Sequence, residues 1–401
     1  MNQPCLDHET IGTSQMLSCD LDSVKDYPFG YYQVGSQFYT NKSEALAVAS
    51  VLNVNPQWKF FNHIWKQQDW SGPSTDNVYD LYRARARHLR EKYEYICLAF
   101  SGGSDSTTML DAFIDSELHI DEILVKWPIR ATEKYTPGTD RSAFNFISEW
   151  QLTMLPLLSH YQKILSPRTK ITIMDWSDQI IGKESPEESI WMTQDHFNPA
   201  TYIKHSLVPK DTLKSIESGK STCMLYGIDR PSIAQNNGQI YCFFQDRSAH
   251  TSTSLNYNNF VEFFYWSPDF PEIVPCQAKL IFQHLEKNPE QVNLLDKLVG
   301  SGPNNNQRLL WEDIVRSLVY PRYVKQNWFQ AYKSRTRVFS EADRWMLSDP
   351  ELATYVQSWQ SHIKNRLNNI NEKFIDRQDG EIRGYMRFLG SVHYLGYIPP
   401  R

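Results

Sequence analysis

One stretch restricts what this chain can fold into more than any other: AFSGGSDSTTML, from Ala99 to Leu110, entered through the apolar run Tyr95–Phe100. A short strand-like run that ends in Ser-Gly-Gly and passes at once into a helical pattern is a strand–loop–helix joint. Gly102 and Gly103 let main-chain N–H groups approach an anion with no Cβ in the way. The start of the following helix, expected over Ser106–Glu117, supplies unpaired N–H groups and a partial positive charge. Ser101, Ser106 and Thr107 add hydroxyls and Asp105 an acid. No Lys follows the glycines as a Walker A loop requires, and the spacing is not G-x-G-x-x-G. The plainer reading of the same residues is a tight turn closed by a Ser or Asp cap.

The joint sits in a repeating pattern. EILVKW (Glu122–Trp127), KITIM (Lys170–Met174, ending at Asp175) and STCMLY (Ser221–Tyr226) read as further strands, with helical periods at Ser142–Tyr161, Glu187–Ser206 and Asp211–Ser218 between them. Strands alternating with helices predict an α/β fold, a parallel sheet with helices on both faces. Before it, Tyr27–Tyr39 reads as two short strands around a turn, Ser43–Leu52 as a helix and Val78–Lys92 as a longer one. After it, Asn236-Asn237-Gly238 separates apolar runs expected to form a hairpin or meander that includes VEFFYWS (Val261–Ser267). From Pro271 onward helical periods dominate: Glu272–Leu285, Arg308–Leu318, Tyr323–Tyr332 and Glu351–Arg366. The expected organisation is a small N-terminal α+β cap (1–77), an α/β domain (78–268) and a mostly helical C-terminal domain (269–401). The length of 401 residues fits two or three domains at about 150 residues each.

Charge and cysteine usage narrow the partners. Lys+Arg is 41 and Asp+Glu is 46, a net charge of −5, which disfavours a nucleic-acid binder of wholly basic surface and leaves room for a local basic groove. Seven Lys/Arg fall between 308 and 337 (Arg308, Arg316, Arg322, Lys325, Lys333, Arg335, Arg337), interleaved with aromatic residues. They suit a nucleotide or nucleic-acid substrate, or a solvated helical surface. No apolar run approaches the length of a membrane span, and the first residues lack a signal-peptide pattern. None of the six cysteines forms C-x-x-C and the histidines show no ligand spacing, so a reducing cytoplasm is expected and a zinc site is not.

Ser101-Gly102-Gly103-Ser104-Asp105-Ser106 resembles the SGG-x-DS loop of the PP-loop (N-type) ATP pyrophosphatases. That superfamily includes asparagine synthetase, GMP synthetase, NAD synthetase, tRNA lysidine synthetase and 7-cyano-7-deazaguanine synthase; Thr107-Thr108 is most similar to the last. The resemblance spans roughly Tyr95 to Phe244. It implies an adenine-nucleotide α-hydrolase-like fold and ATP cleaved to AMP and pyrophosphate. A carboxylate or carbonyl acceptor, here an unidentified acid or amide, is adenylated and then attacked by a nitrogen nucleophile. Carried over, the backbone at Gly102, Gly103 and Ser104 holds the leaving pyrophosphate, with Ser101 and Ser106 on its oxygens, and Asp105 supports Mg²⁺ or the loop.

Gly227, Asp229 and Arg230 follow the fourth strand: the glycine allows close backbone approach, Asp229 can bind Mg²⁺ and Arg230 can grip phosphate, and the segment is similar to the Gly-then-acid segment after the corresponding strand in several relatives. A Gly-Asp turn with a surface ion pair explains the same residues. Lys126 and Trp127 end the second strand, where relatives contact adenine through the backbone; Trp127 can stack on the base and fits a core position equally well. Two departures stand out. The deazaguanine synthase's cysteine cluster has no match here. Residue 2 is Asn rather than the cysteine with which asparagine synthetase releases ammonia, which implies free ammonia, an amine substrate or a separate donor. Sulfonucleotide reductases and phosphorothioation proteins carry modified loops of similar shape and are alternatives, as is a non-catalytic nucleotide or nucleic-acid binder, which the basic stretch at 308–337 suggests.

Overall fold

The computed structural model describes residues 19–74, 77–127, 150–175, 207–228, 230–246, 260–298, 302–321, 367–378 and 381–399, with single positions at 129 and between 350 and 365. The described chain begins with a short helix α1 (Leu21–Val24) and strands β1 (Tyr31–Val34) and β2 (Gln37–Tyr39). Helix α2 (Lys42–Leu52) follows, then β3 (Gln57–Lys59), α3 (Asn62–Trp65) and α4 (Val78–Lys92). Asn41 and Asn77 start α2 and α4 by accepting main-chain N–H groups of their first turns. Strand β1 pairs antiparallel with both β2 and β3. The third strand was absent from the sequence reading, since three residues show no measurable period.

The central sheet holds β4 (Tyr95–Ala99), β5 (Glu122–Trp127), β6 (Lys170–Asp175), β7 (Thr222–Tyr226) and, later in the chain, β10 (Val261–Phe263). Every pairing in it is parallel, in the order β10-β7-β4-β5-β6. Strands β5 and β7 are buried along their whole length, as strands covered on both faces must be, which is why β7 reads as a nearly continuous apolar run and β5 as an apolar stretch, Ile123–Val125, between the buried charges of Glu122 and Lys126. Helices α5 (Ser104–Ile114), α6 (Leu155–Ile164) and α7 (Lys210–Glu217) lie between these strands in the chain. On one face α7 donates from Thr212 to Glu122 of β5 at 2.8 Å and meets Thr222 of β7 through Ser215 at 2.8 Å. On the other, Phe100 contacts the Tyr161 ring of α6, whose hydroxyl donates to Asp111 of α5 at 2.8 Å. Helices therefore cover both faces.

Two segments depart from the pattern expected of them. VEFFYWS does not join a hairpin: Val261–Phe263 is the fifth parallel strand, beside β7. The hairpin is β8 (Ser232–Asn236) with β9 (Gln239–Gln245), turned by Asn237 and Gly238 at φ +50° and +81°, the left-handed pair that Asn-Gly favours. The region after 269 is not all helix. It contains α8 (Ile273–Lys287), the two-residue β11 (Asp296–Lys297) and α9 (Asn305–Val319), then β12 (Ile375–Gln378), β13 (Glu381–Tyr385) and β14 (Leu389–Tyr397). Strand β14 pairs antiparallel with β9, completing a second sheet in the order β11-β8-β9-β14. The pairing crosses the boundary expected near 268. The helical readings at Glu187–Ser206 and Tyr323–Tyr332 lie outside the described residues.

Much of the aromatic content is spent where these layers meet. Phe244 of β9 lies 4.7 Å from Trp65 and 5.1 Å from Trp266, ring centre to ring centre, and Phe60 contacts all three. Full burial of such a side chain contributes about 1.5–3 kcal/mol. A polar tie runs through the same junction. Asp246, at the end of β9, accepts from Lys42 at 2.5 Å, Tyr32 at 2.9 Å and the Phe388 N–H at 3.1 Å. The Lys42 and Asp246 side chains are both wholly buried. One carboxylate thus joins β1, α2, β9 and the approach to β14.

Candidate functional site

The strand order reverses between β4 and β7. From β4 the chain steps outward to β5 and β6, then crosses back to place β7 and β10 on the other side. Ligands of open α/β sheets bind at the carboxyl ends of strands at such a switch point. The loop Ser101–Gly103 leaves the end of β4 there, and Gly227 leaves the end of β7.

The loop is held by its own hydroxyls. Ser106 Oγ accepts the Ser101 N–H at 3.2 Å and donates to the Gly103 carbonyl at 3.2 Å, with Ser101 Oγ also 3.2 Å away. Sequence reasoning assigned Ser101 and Ser106 to a ligand; the structure uses both to shape the turn. Gly102 sits at φ +67°, and a Cβ there would approach Met154 Cε to 3.2 Å, so only glycine fits without strain. Gly103 is the N-cap of α5 and offers no side chain to the first-turn N–H groups, while Ser104 and Asp105 open the helix. Thr107, in the same turn, is 1% exposed and its Oγ1 has no hydrogen-bond partner. Buried polar atoms are normally paired, and an exception needs an explanation.

The two predicted segments do meet. A Cβ on Gly227 would lie 3.3 Å from Asp105 C and Ser106 N, so glycine allows the end of β7 to press against the first turn of α5. Tyr265, just past β10, donates to the Asp105 carbonyl at 2.8 Å. Sequence reasoning missed Tyr265; its only signal was its place in an aromatic run. Its ring also packs on Tyr82 and Tyr320, and Tyr82 donates to the Val319 carbonyl at 2.7 Å. The end of α9 is thereby carried up to the loop.

The other expected site residues fall as follows. Lys126, at the end of β5, is 8% exposed and lies 3.4 Å from the Tyr226 hydroxyl. Trp127 is buried against Trp150, ring centres 5.4 Å apart, so it is a core residue; its Nε1 is buried without a partner. Arg230 forms an ion pair with Glu312 of α9 at 3.3 Å. Asp229 lies outside the described residues, as do Arg322, Lys325, Lys333, Arg335 and Arg337. The described members of the basic stretch are matched by carboxylates: Arg308 with Asp296 at 3.2 Å, Arg316 with Glu312 at 3.0 Å.

An uncapped helix start, a left-handed turn that only glycine fits without strain and an orphaned threonine hydroxyl suit a phosphate group. Among the described residues no group of three or more His, Cys, Asp or Glu gathers to hold a metal ion. Magnesium bound through phosphates needs only one or two carboxylates, and Asp105 is the acidic residue in the first turn of α5. The described cysteines are unbridged. Burial pushes the Cys97 thiol up to about 12, and those of Cys223 and Cys242 up as well, so none of the three is a thiolate nucleophile at neutral pH.

These features define an α/β protein with a five-strand parallel sheet of Rossmann-like order and a glycine-rich loop at its switch point. No family model, curated protein or solved structure gives a significant match to the chain. Among the described residues no helix is long and apolar enough to cross a membrane.

Proposed function

We propose that this chain is an ATP-cleaving ligase of the PP-loop pyrophosphatase type. An acceptor oxygen, from a carboxylate or carbonyl group, attacks the α-phosphorus of ATP. The bond to the bridging oxygen breaks and pyrophosphate leaves with the electron pair. A nitrogen nucleophile then displaces AMP from the adenylated acceptor.

The observation that carries this reading is the first turn of α5. It stands at the switch point with no side-chain cap and with the buried Thr107 hydroxyl unpartnered. N–H groups of that turn and the Thr107 hydroxyl would bind the departing pyrophosphate, whose charge grows as the bond breaks. Fixed dipoles aimed at developing charge supply most of the acceleration in phosphoryl chemistry. Magnesium, held by Asp105 and by Asp229, would neutralise charge on the phosphates. Arg230, already held by Glu312, would orient them from the β7 side.

The test is direct. Purified protein with Mg²⁺, ATP and a panel of acids and amides should release pyrophosphate only with its acceptor. Asp105→Ala should lower that rate by about 10²–10³-fold, the usual loss of an electrostatic catalytic group. A folded wild-type protein that binds neither ATP nor AMP with pyrophosphate, by calorimetry in Mg²⁺ buffer, refutes the proposal.

A further inference from the structure

The end of β4 is bracketed by two side chains from the strands on either side of it. Pairing of Ala99 with Leu124 sets Lys126, two residues further along β5, level with Ser101. Pairing of Leu98 with Leu225 sets Tyr226 of β7 level with Ala99. The two side chains meet across the strand: Lys126 Nζ donates to the Tyr226 hydroxyl at 3.4 Å and stands 5.8 Å from its ring centre. Both are buried.

Their face is fixed by alternation. Along β5, Lys126 shares a side with Glu122, which is bound by Thr212 of α7. Helix α5 belongs to the opposite side, the side of Phe100 and Tyr161. The carboxyl end of β4 therefore has an ammonium on one face and the uncapped first turn of α5 on the other. Two positive elements flanking one strand end suit a ligand with two separate anionic groups.

We infer that Lys126 binds the α-phosphate of the nucleotide while the loop holds the two distal phosphates, and that Tyr226 positions the ammonium. The inference rests on the PP-loop reading above. It gives the Lys126 side chain a charge contact, in place of the adenine contact through the backbone that the resemblance implied. Burial pushes the Tyr226 hydroxyl's ionisation well up, so it stays a neutral phenol. It can accept from the ammonium throughout the range in which nucleotides bind.

Binding of three probes separates the two positions: AMP, which carries only the α-phosphate; inorganic pyrophosphate, which represents the distal pair; and ATP. Calorimetry in Mg²⁺ buffer at neutral pH is run on wild type, Lys126→Met and Tyr226→Phe, with thermal melting as the check on folding. Lys126→Met, which keeps the unbranched stem and removes the ammonium, should weaken AMP and ATP by about 10–100-fold, the range for a lost charge-assisted hydrogen bond. It should leave pyrophosphate within about twofold of wild type. Tyr226→Phe should show the same selectivity at about three- to tenfold. Equal loss of AMP and pyrophosphate, or unchanged AMP affinity in both variants, overturns the inference and leaves the parent reading standing. A wild-type protein that binds none of the three probes removes both.

Discussion

The hydroxyl of Tyr265 donates to the main-chain carbonyl of Asp105 across 2.8 Å. It ties the chain beyond β10 to the first turn of α5, where the proposed phosphate site lies. Replacing Tyr265 by Phe keeps the ring contacts with Tyr82 and Tyr320 and removes only this bond. The expected cost is about 1 kcal/mol of stability, the net worth of a buried hydrogen bond. Nucleotide affinity should fall several-fold because the turn loses a restraint. Chemical denaturation and calorimetry read the two effects separately, and an unchanged midpoint would show that the tie carries no energy.

Thr107→Val makes an opposite pair of expectations. Its Oγ1 is buried without a partner, and such a group costs about 1–3 kcal/mol of desolvation. Valine keeps the shape and removes the hydroxyl. The ligand-free protein should melt at the same temperature or higher, while pyrophosphate affinity drops about tenfold. Lower stability together with unchanged pyrophosphate binding would mean that the hydroxyl serves the fold alone.

The Lys42–Asp246 pair is wholly buried and shares its carboxylate with Tyr32 and the Phe388 N–H. Removing one partner strands the other charge, so Lys42→Met should cost about 3–5 kcal/mol. The double variant Lys42→Met with Asp246→Asn should recover part of that loss, since no bare charge is left in the core. A double-mutant cycle in urea measures the coupling; strict additivity would dismiss it.

His393 stacks on Trp70 with ring centres 4.0 Å apart. Burial, reinforced by the nearby Lys66, holds its pKa down at about 4. The unfolded chain takes up this proton near pH 6.5, while the folded chain resists it until about pH 4. Protons thus favour the unfolded state in that window, and stability falls as pH drops from about 6.5 to 4, by about 2 kcal/mol after allowance for partial solvent access. His393→Phe should flatten this part of the stability–pH curve measured by urea titration at fixed ionic strength.

Which features were open to sequence reasoning follows from how local their causes are. Strands β4, β5 and β7 were legible because burial on both faces of the sheet concentrates apolar residues at their centres, Ile96–Leu98, Ile123–Val125 and Cys223–Leu225. The limits Val78–Lys92 were legible because an asparagine cap and a helical period both act within a few residues. Strand β14 was hidden because its outward positions Val392, Tyr394 and Tyr397 are exposed yet apolar. Two glycines also interrupt its pattern; one of them, Gly396, leaves the space that the Phe282 ring occupies.

The amino-acid sequence by itself determined the joint at Ser101–Ser106, since glycine conformation, hydroxyl spacing and a helix start depend on adjacent residues. It likewise determined the βα alternation and the Asn237-Gly238 turn. Only the tertiary structure decided that β10 completes the parallel sheet, that β14 returns to β9, and that Tyr265, Gly227 and Asp105 meet. It also turned Ser106 inward to shape the loop and left Thr107 as the orphan. The physical reason is that strand order and burial are set by the packing of segments more than 100 residues apart in the chain, as Tyr265 is from Asp105 at a separation of 160. No local spacing records that packing.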